Sequence, residues 1–301
     1  DQEINTEKGV VIDEIQSYKD SPSEDIYDKF EEMLFKGHPL SGNILGTKAS
    51  VRKISRKELL NFVQDKFRPE KIAFTIVADI DEKAMEKSVL KLVQKHFPDY
   101  VASQETASGE AAMSFVSEQF DMTLSKRNHQ ANCIIGGLAP SLYQDRERLA
   151  TVLLCNILGG PANNSILNSV LREKNGWVYG VECSYTQYSD TGIVAISLGC
   201  DKNNLDKCIK ATYKEISKLQ EEMLSDRKLK AAKKQLLGQM AISGDNGETQ
   251  CLSMGKALLA YGKLNTGKET RQMVEGITAE DIREMARTIF APSNLSKLIY
   301  I

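Results

Sequence analysis

Two glutamates near the start of the chain, Glu7 and Glu14, have a residue type and a spacing that could serve chemistry. Seven residues make almost two turns of an α-helix, so both carboxylates lie along one side of a helix in this segment. Val10, Val11 and Ile15 form an apolar seam beside them. Paired acids next to such a seam could be half of a metal site. Spacing alone, however, favours the simpler interpretation of a solvated acidic face on an amphipathic helix.

The composition is that of a globular protein with room for two domains of ordinary size. The chain has 301 residues, of which 41% are hydrophobic and 27% charged, and each half is long enough to bury a core. The net charge of −2 provides no electrostatic footprint for nucleic acid or an anionic membrane surface. The longest apolar run, residues 149–158, is too short to cross a bilayer. We therefore expect neither nucleic acid nor a membrane as a partner.

The cysteines and the first residue bear on the compartment and on the origin of the chain. Six cysteines are scattered through residues 133–251 without a Cys-x-x-Cys pair. Most lie in apolar segments, which favours buried free thiols in a reducing compartment and a cytoplasmic location. The chain begins at Asp1 without an initiator methionine or a signal-like apolar region. This beginning indicates either a removed leader or a piece of a longer protein.

Hydrophobic periodicity and capping signals predict helices interspersed with strands. Ser21–Glu24 and Ser55–Glu58 each carry the serine and glutamate of a capping box, and Thr278–Asp281 starts the last helix. The other predicted helices cover residues 4–18, 81–97, 144–158, a segment ending near 173, and 203–262 with a break near 224–226. The predicted strands cover residues 71–78, 114–124, 130–138, 178–187, 192–199 and 295–301.

A small, polar stretch at residues 103–112 is predicted to link two domains, at residues 1–102 and 113–301. The two parts share an order of elements. Ile54–Leu59 resembles Ile277–Ile282, and each segment leads through a helix and a proline-containing turn to an apolar strand. If the parts are repeats, the first lacks its opening strands. The predicted fold class is therefore α+β, with two related domains of antiparallel sheet flanked by helices and the first domain incomplete at its N-terminus.

A set of short motifs spans nearly the whole chain in a consistent order, and the set is more specific than any of its members. The motifs lie at Glu7–Ile15, Asp20–Pro22, Gly37–Leu40, Gly46-Thr47, Ile54–Leu59, Pro69–Ala78, Gly159-Gly160, Ser165–Leu171, Arg172–Tyr179 and Asp190–Gly192. Together they resemble the pitrilysin/insulinase-type (M16) zinc metallopeptidases. The matching parts are the C-terminal portion of that family's metal-binding domain and the homologous domain that binds no metal.

The resemblance implies roles for four side chains. In that family an inverted His-x-x-Glu-His motif supplies two zinc ligands and the general base, and a glutamate on a later helix supplies the third ligand. Glu14 matches this third ligand, and Glu7 matches the carboxylate that supports the site. The second domain contributes an arginine and a tyrosine that face the site, and these match Arg172 and Tyr179. Both can donate hydrogen bonds to a substrate carbonyl or a developing oxyanion.

The histidines depart from the family pattern. His38, His96 and His129 are the only histidines of the chain, and none belongs to a His-x-x-x-His pair. A catalytic zinc needs about three protein ligands and an open position for water. We therefore predict that this chain alone holds no zinc and hydrolyses no peptide, and the resemblance places the absent motif upstream of Asp1. His38 is interpreted as a surface or loop-packing residue.

Three functions remain open from the sequence. The first is a fragment of a zinc endopeptidase that holds a peptide or an unfolded polypeptide in a chamber between domains, by strand addition to a sheet edge. The second is a non-catalytic subunit of the same fold that binds peptide or supports an active partner, within a homo- or hetero-dimer. The third is an unrelated α+β interaction module with no metal site. A His-x-x-Glu-His motif upstream of Asp1 would favour the first.

Overall fold

The computed structural model describes residues 1–68, 71–96, 115–126 and 128–301. Contacts group the chain into two compact units. The smaller contains Asp1, Lys53–Gly109 and Leu237–Arg271, and the larger contains Gln2–Arg52, Glu110–Leu236 and Gln272–Ile301. This grouping follows contacts rather than sequence repeats, so the domains predicted at residues 1–102 and 113–301 stay a prediction. The linker predicted at residues 103–112 lies outside the described residues.

The larger unit is built on a five-stranded mixed sheet in the order β1-β5-β2-β4-β3. The strands are β1 Asp121–Leu124, β2 Gln130–Ala139, β3 Val178–Gln187, β4 Gly192–Asp201 and β5 Ser296–Tyr300. β5 pairs with β1 in parallel, and the other neighbouring strands are antiparallel. Of the residues described within the strand predicted at 114–124, only Asp121–Leu124 pair with β5, so this strand is shorter than expected.

Helices make up most of the remaining regular structure. They are α1 Gln2–Asp20, α2 Pro22–Leu34, α3 Lys48–Lys53, α4 Arg56–Lys66, α5 Glu82–His96, α6 Asp145–Gly159, α7 Leu205–Glu221, α8 Asp226–Gly244, α9 Gly247–Tyr261, α10 Gly267–Glu275 and α11 Ala279–Ile289. This mixture of helices with a mostly antiparallel sheet confirms the predicted α+β class. Among the helices that the structure describes, none is long and apolar enough to span a membrane.

Both faces of the sheet are buried around β2, which explains its continuous apolar sequence. Side chains alternate between the faces of a strand, so Ile134 and Ile135 point to opposite sides, and both are buried. On the Ile134 side, α2 packs Ile26, Phe30 and Leu34 against the sheet. On the opposite side, α11 contacts β2 and α6 contacts β3. The sheet is therefore the centre of the larger unit, and α2 connects it to α1.

The smaller unit lacks the strand that was predicted at residues 71–78. This segment forms no ladder with any described residue, so the prediction is wrong for the chain as it stands. A strand needs a neighbour for its N–H and C=O groups, and here α9 supplies side-chain contacts instead. The Thr75 hydroxyl donates to the Cys251 carbonyl at 2.9 Å, and the Cys251 thiol donates to the Thr75 carbonyl at 3.2 Å. Within this unit none of the described residues is buried.

The N-termini of the helices test the capping boxes predicted from the sequence. Ser55 and Glu58 form the predicted capping box at α4, and Thr278 forms one with Asp281 at α11. At α2 the predicted capping box is wrong: Ser21 occupies the N-cap, but its side chain makes no capping hydrogen bond and its Oγ lies 3.2 Å from Oγ of Ser23. The helix predicted to end near residue 173 is a π-helical turn at Asn168–Glu173, and the region 203–262 divides into α7, α8 and α9.

Candidate functional site

Glu7 and Glu14 lie on α1, and both residues are exposed. α1 has one buried residue, Ile15, and it packs against α2. Among the described residues, no hydrogen bond or ion pair joins either glutamate to another side chain. The two carboxylates are therefore available to a ligand or to protein groups from outside this chain. Their roles as zinc ligand and supporting carboxylate stay predictions.

A β-bulge sets the position of Tyr179. Val178 pairs with Cys200 and Gly180 pairs with Gly199, so Tyr179 is an extra residue of β3 without a partner on β4. A bulge of this kind re-aims a side chain, and Tyr179 is 57% exposed although Val178 beside it is buried. The sequence between Trp177 and Val181 does not reveal the bulge, because its position depends on pairing with β4.

The hydroxyl of Tyr179 donates a hydrogen bond to Oδ1 of Asp201 at 2.7 Å. This hydrogen bond raises the pKa of Tyr179 above its ordinary value, so the hydroxyl remains a neutral donor at neutral pH. Asp201 ends β4 and was not singled out by the sequence. No local signal marks it, since its contact with Tyr179 depends on the bulge. By accepting this hydrogen bond, Asp201 orients the hydroxyl of Tyr179.

Arg172 belongs to the π-helical turn that precedes β3, and it is exposed. Its carbonyl accepts a hydrogen bond from Gly176 N–H at 2.9 Å. Gly176 has φ +60°, a conformation that favours glycine, and it lets the chain turn back into β3. The described contacts join Arg172 neither to Tyr179 nor to the two glutamates of α1. The four predicted side chains thus lie on the surface of the larger unit. Among the described contacts, no hydrogen bond or ion pair joins the two glutamates of α1 to Arg172 or Tyr179.

A cleft of about 350 Å³ lies on the sheet beside Gly180, the residue after Tyr179, between α2 and strands β2, β3 and β4. Its lining includes Ser23, Tyr27, Asn132, Gly180, Glu182 and Gly199. A Cβ added at Gly180 would meet nothing within 4 Å, and one at Gly199 would meet only Asn132 Oδ1 at 3.6 Å. Small residues therefore keep this part of the sheet open. Among the described residues that line the cleft, Glu182 is the one with a charged side chain.

Two of the sequence motifs meet at His38. Its Nε2 lies 3.0 Å from Oδ2 of Asp190, in the turn between β3 and β4, and its Nδ1 accepts a hydrogen bond from Leu40 N–H at 3.2 Å. The backbone N–H can only donate, so the proton of the neutral ring is on Nε2 and is donated to Asp190. His38 is 6% exposed. It is a loop-packing residue with both ring nitrogens engaged, and not a surface residue.

The Gly159-Gly160 motif is explained by packing. A Cβ at Gly159 would lie 2.7 Å from the backbone nitrogen of Cys183, so glycine lets α6 approach β3 closely. The Asn168 side chain donates to the Gly160 carbonyl at 3.2 Å and to Ser165 Oγ at 2.9 Å. These bonds fix the loop after α6 against the turn that carries Arg172. The motif therefore serves packing and helps to fix the turn that carries Arg172.

The described residues do not fit a zinc ion by themselves. They contain no group of three or more histidine, cysteine, aspartate or glutamate side chains placed to hold a metal. A catalytic zinc needs about three protein ligands, and α1 offers one glutamate with a second in support. If Glu14 binds zinc, the other ligands come from outside the described part of this chain.

The mostly antiparallel sheet and its helices define an α+β protein, and the family comparison is more specific. The model of the peptidase M16 inactive domain matches residues 53–236. The chain therefore belongs to the M16 peptidase family. The resemblance stated from the sequence is confirmed.

Curated relatives of the chain carry protease names. An uncharacterized zinc protease of Bacillus subtilis, YmxG, is 26% identical over 298 residues, which are 99% of this chain and 70% of the relative. An uncharacterized zinc protease of Mycobacterium leprae is 22% identical over 288 residues, or 95% of this chain and 64% of the relative. The chain thus spans about two thirds of the length of these relatives.

Solved structures share the fold. A protease from Helicobacter pylori has a TM-score of 0.82 at 16% identity and covers all of this chain and 72% of its own. A chain of complex III from Candida albicans has a TM-score of 0.74 at 16% identity, covering 97% of this chain and 70% of its own. At these identities the likeness establishes the fold alone.

Proposed function

We propose that this chain is part of a zinc endopeptidase whose metal site is completed by residues outside it. The observation that carries the proposal is the match to the M16 inactive domain over residues 53–236. Relatives named as zinc proteases support it. In the proposal Glu14 is the third zinc ligand, and Glu7 is the carboxylate that supports it. Their exposure on one helix is consistent with a site shared with other protein groups.

The contribution of this chain's larger unit is proposed to be substrate binding through Arg172 and Tyr179. The guanidinium of Arg172 carries several N–H donors, and its exposure leaves it open to a substrate carbonyl. The hydroxyl of Tyr179 is a neutral donor held by Asp201 at 2.7 Å. A substrate oxygen with developing negative charge would replace Asp201 as the acceptor. Donors of this kind stabilise oxyanions.

The substrate is proposed to be an extended peptide or an unfolded polypeptide bound along β3. β3 is an edge strand of the described sheet and runs for ten residues. A peptide added as a further strand would take backbone hydrogen bonds from this edge and place alternate side chains over each face. The cleft next to Gly180 can receive one of those side chains.

The direct test replaces Glu14 with Gln in the full-length protein. We expect Glu14→Gln to abolish both bound zinc and peptide cleavage, because an amide oxygen is a poor substitute for a charged ligand. Glu7→Gln should reduce zinc affinity by about 10–100-fold, the usual effect of removing a supporting group. Bound zinc is measured by elemental analysis and cleavage with a quenched peptide.

Asp13→Asn is the matched control, since Asp13 is an exposed acid next to Glu14 on the same helix. It should leave zinc and cleavage unchanged. Full retention of both by Glu14→Gln would remove Glu14 from the site.

A second candidate function is that of a non-catalytic subunit that supports an active partner. Two findings favour it: the matching family model is that of the inactive domain, and one structural neighbour is a chain of a multi-subunit complex. The residues encoded upstream of Asp1 separate the candidates. An intact His-x-x-Glu-His motif there supports the enzyme, and a protein without it that co-purifies with an active M16 partner supports the subunit.

A further inference from the structure

The cleft beside Gly180 opens onto a bare patch of the sheet. Gly180 of β3 pairs with Gly199 of β4, and Gly199 pairs in turn with Asn132 of β2. Two glycines side by side leave the sheet without side chains at this point, and a Cβ at Gly180 would meet nothing within 4 Å. A side chain that arrives from the edge of β3 can therefore reach across the backbone of two strands.

Glu182 borders this patch on the same face of the sheet. Side chains alternate along a strand, so Gly180 and Glu182 point to one side. Glu182 pairs with Ser197, and Ser197 pairs with Ile134, which packs with α2 on that face. Glu182 is exposed, and among the described residues no hydrogen bond or ion pair joins its carboxylate to another side chain. The carboxylate is therefore available to a ligand in the cleft.

The walls of the cleft suit a cation better than an apolar or an acidic group. α2 contributes Tyr27, which is 40% exposed, and an aromatic ring attracts a cation over its face. Ser23 and Asn132 add oxygen acceptors. An apolar side chain would displace water from these groups without replacing its hydrogen bonds, which costs free energy. An acidic side chain would be repelled by Glu182.

We propose that this cleft binds an arginine or lysine side chain of the peptide substrate, and that Glu182 determines this specificity. The planar guanidinium of arginine can donate two parallel hydrogen bonds to a carboxylate, whereas lysine offers a point charge. Arginine is therefore the preferred residue. This assignment rests on the proposed function, since it concerns one side chain of a peptide that is proposed to lie along β3.

Strand addition would bring such a side chain to the cleft. β3 is an edge strand of the described sheet, and the backbone of an added strand lies about 4.8 Å from it. A peptide residue beside Gly180 that points to the α2 face meets no side chain on the glycine. Its charged end can reach Glu182 on the diagonal, a separation that long side chains span. One position of the bound peptide is selected in this way.

The test compares the binding of matched peptides to the full-length protein in the presence of a chelator, so that no cleavage interferes. The peptides share one neutral sequence rich in threonine and valine. They differ at a single central residue, which is arginine, citrulline or glutamate. Citrulline has nearly the shape of arginine without its charge. Dissociation constants are obtained from the fluorescence anisotropy of a dye attached to each peptide.

We expect the arginine peptide to bind about fivefold more tightly than the citrulline peptide, the upper end for an ion pair that remains open to water. The glutamate peptide should bind most weakly. The preference for arginine should shrink as salt is added, because salt screens exposed charges. This salt dependence is measured on the unmodified protein and needs no variant.

Glu182→Gln should remove the preference for arginine over citrulline, because it removes the charge and keeps the size of the side chain. A purely structural role of Glu182 would instead weaken the binding of both peptides equally. Glu222→Gln is the matched control, since Glu222 is an exposed glutamate of the larger unit outside the cleft. It should retain the preference.

Three results would overturn the proposal: equal dissociation constants for arginine and citrulline in the unmodified protein, no binding of either peptide, or a preference that survives Glu182→Gln. These results are distinct from a failure of the proposed function. Zinc binding and cleavage that depend on Glu14 would stand without the preference. A preference for arginine in a protein that binds no zinc would remove the endopeptidase and leave the cleft as a cation-selective peptide site.

Discussion

The α4 region of the smaller unit and the α11 region of the larger unit share a local pattern but differ in burial. Each helix begins with a capping box, and each is followed by an apolar segment, residues 71–78 after α4 and β5 after α11. α4 has no buried residue, whereas α11 buries Ala279, Ile282, Met285, Ala286 and Ile289. β5 lies between β1 and β2, whereas residues 71–78 pair with no strand that the structure describes.

This difference shows that the shared pattern is sufficient for a capped helix but not for a strand. A helix satisfies most of its backbone groups internally, whereas a strand needs neighbours on its edges. Phe74 is 63% exposed and Ile76 is 41% exposed, and the smaller unit carries many such side chains. Large exposed apolar surfaces mark interaction sites. We therefore expect residues 71–78 to pair with strands from outside this chain in the full-length protein.

The largest expected difference is in the free energy of unfolding, between truncation of Leu298 in β5 and truncation of Ile76 in the smaller unit. Leu298 is fully buried, and Leu298→Ala should destabilise the larger unit by about 2–5 kcal/mol, because it removes packed methyl groups and leaves a cavity. Ile76→Ala in this chain should cost about 0.5 kcal/mol or less, as for most surface substitutions. Urea unfolding followed by circular dichroism measures both.

The same Ile76→Ala substitution, measured in the full-length protein, tests the expected strand pairing. If additional strands cover residues 71–78 there, Ile76→Ala should become about as costly as other core truncations, about 2–5 kcal/mol. Equal costs for Leu298→Ala and Ile76→Ala in the present chain would contradict the comparison. A cost for Ile76→Ala that stays small in the full-length protein would contradict the expected pairing.

The same contrast explains what the sequence could and could not predict. β3, β4 and the caps at Ser55 and Thr278 follow from local signals, and the structure has them close to where they were predicted. Residues 71–78 carry a strand-like apolar pattern, but pairing depends on partners that the pattern does not contain. The exposure of Tyr179 depends on a bulge set by pairing with β4. Local sequence signals predict where helices and strands form. Contacts between distant segments decide whether a strand is paired and how exposed its side chains are.

The two capping boxes should differ by a smaller amount. At α11, Thr278 Oγ1 accepts from Asp281 N–H at 3.1 Å, and at α4, Ser55 Oγ accepts from Glu58 N–H at 3.2 Å. Removal of a capping side chain costs about 0.5–2 kcal/mol. Thr278→Ala should lie near the upper end because α11 packs into the core, and Ser55→Ala near the lower end because α4 can fray without exposing a core. The urea midpoints of the two variants measure this difference. Equal shifts would show that packing a helix into a core does not increase the stabilising effect of its cap.

The smallest expected effect concerns acid stability and compares Asp281 with Asp65. Burial would raise the pKa of Asp281, but the hydrogen bonds from Arg146 and Thr278 outweigh it and hold this pKa below its ordinary value. Lys66 and Lys71 lower the pKa of Asp65 on the exposed surface of α4.

A carboxyl whose pKa is lower in the folded protein adds stability above its unfolded pKa of about 3.9, and this stability is lost as the pH falls through the folded value. Asp281→Asn should therefore reduce the urea midpoint at about pH 6 and make it fall less between about pH 4 and pH 2. Asp65→Asn should change neither quantity, because exposed ion pairs contribute little. An Asp65→Asn effect as large as that of Asp281→Asn would mean that the exposed helix of the smaller unit depends on its ion pairs as much as α11 depends on the hydrogen bonds of Asp281.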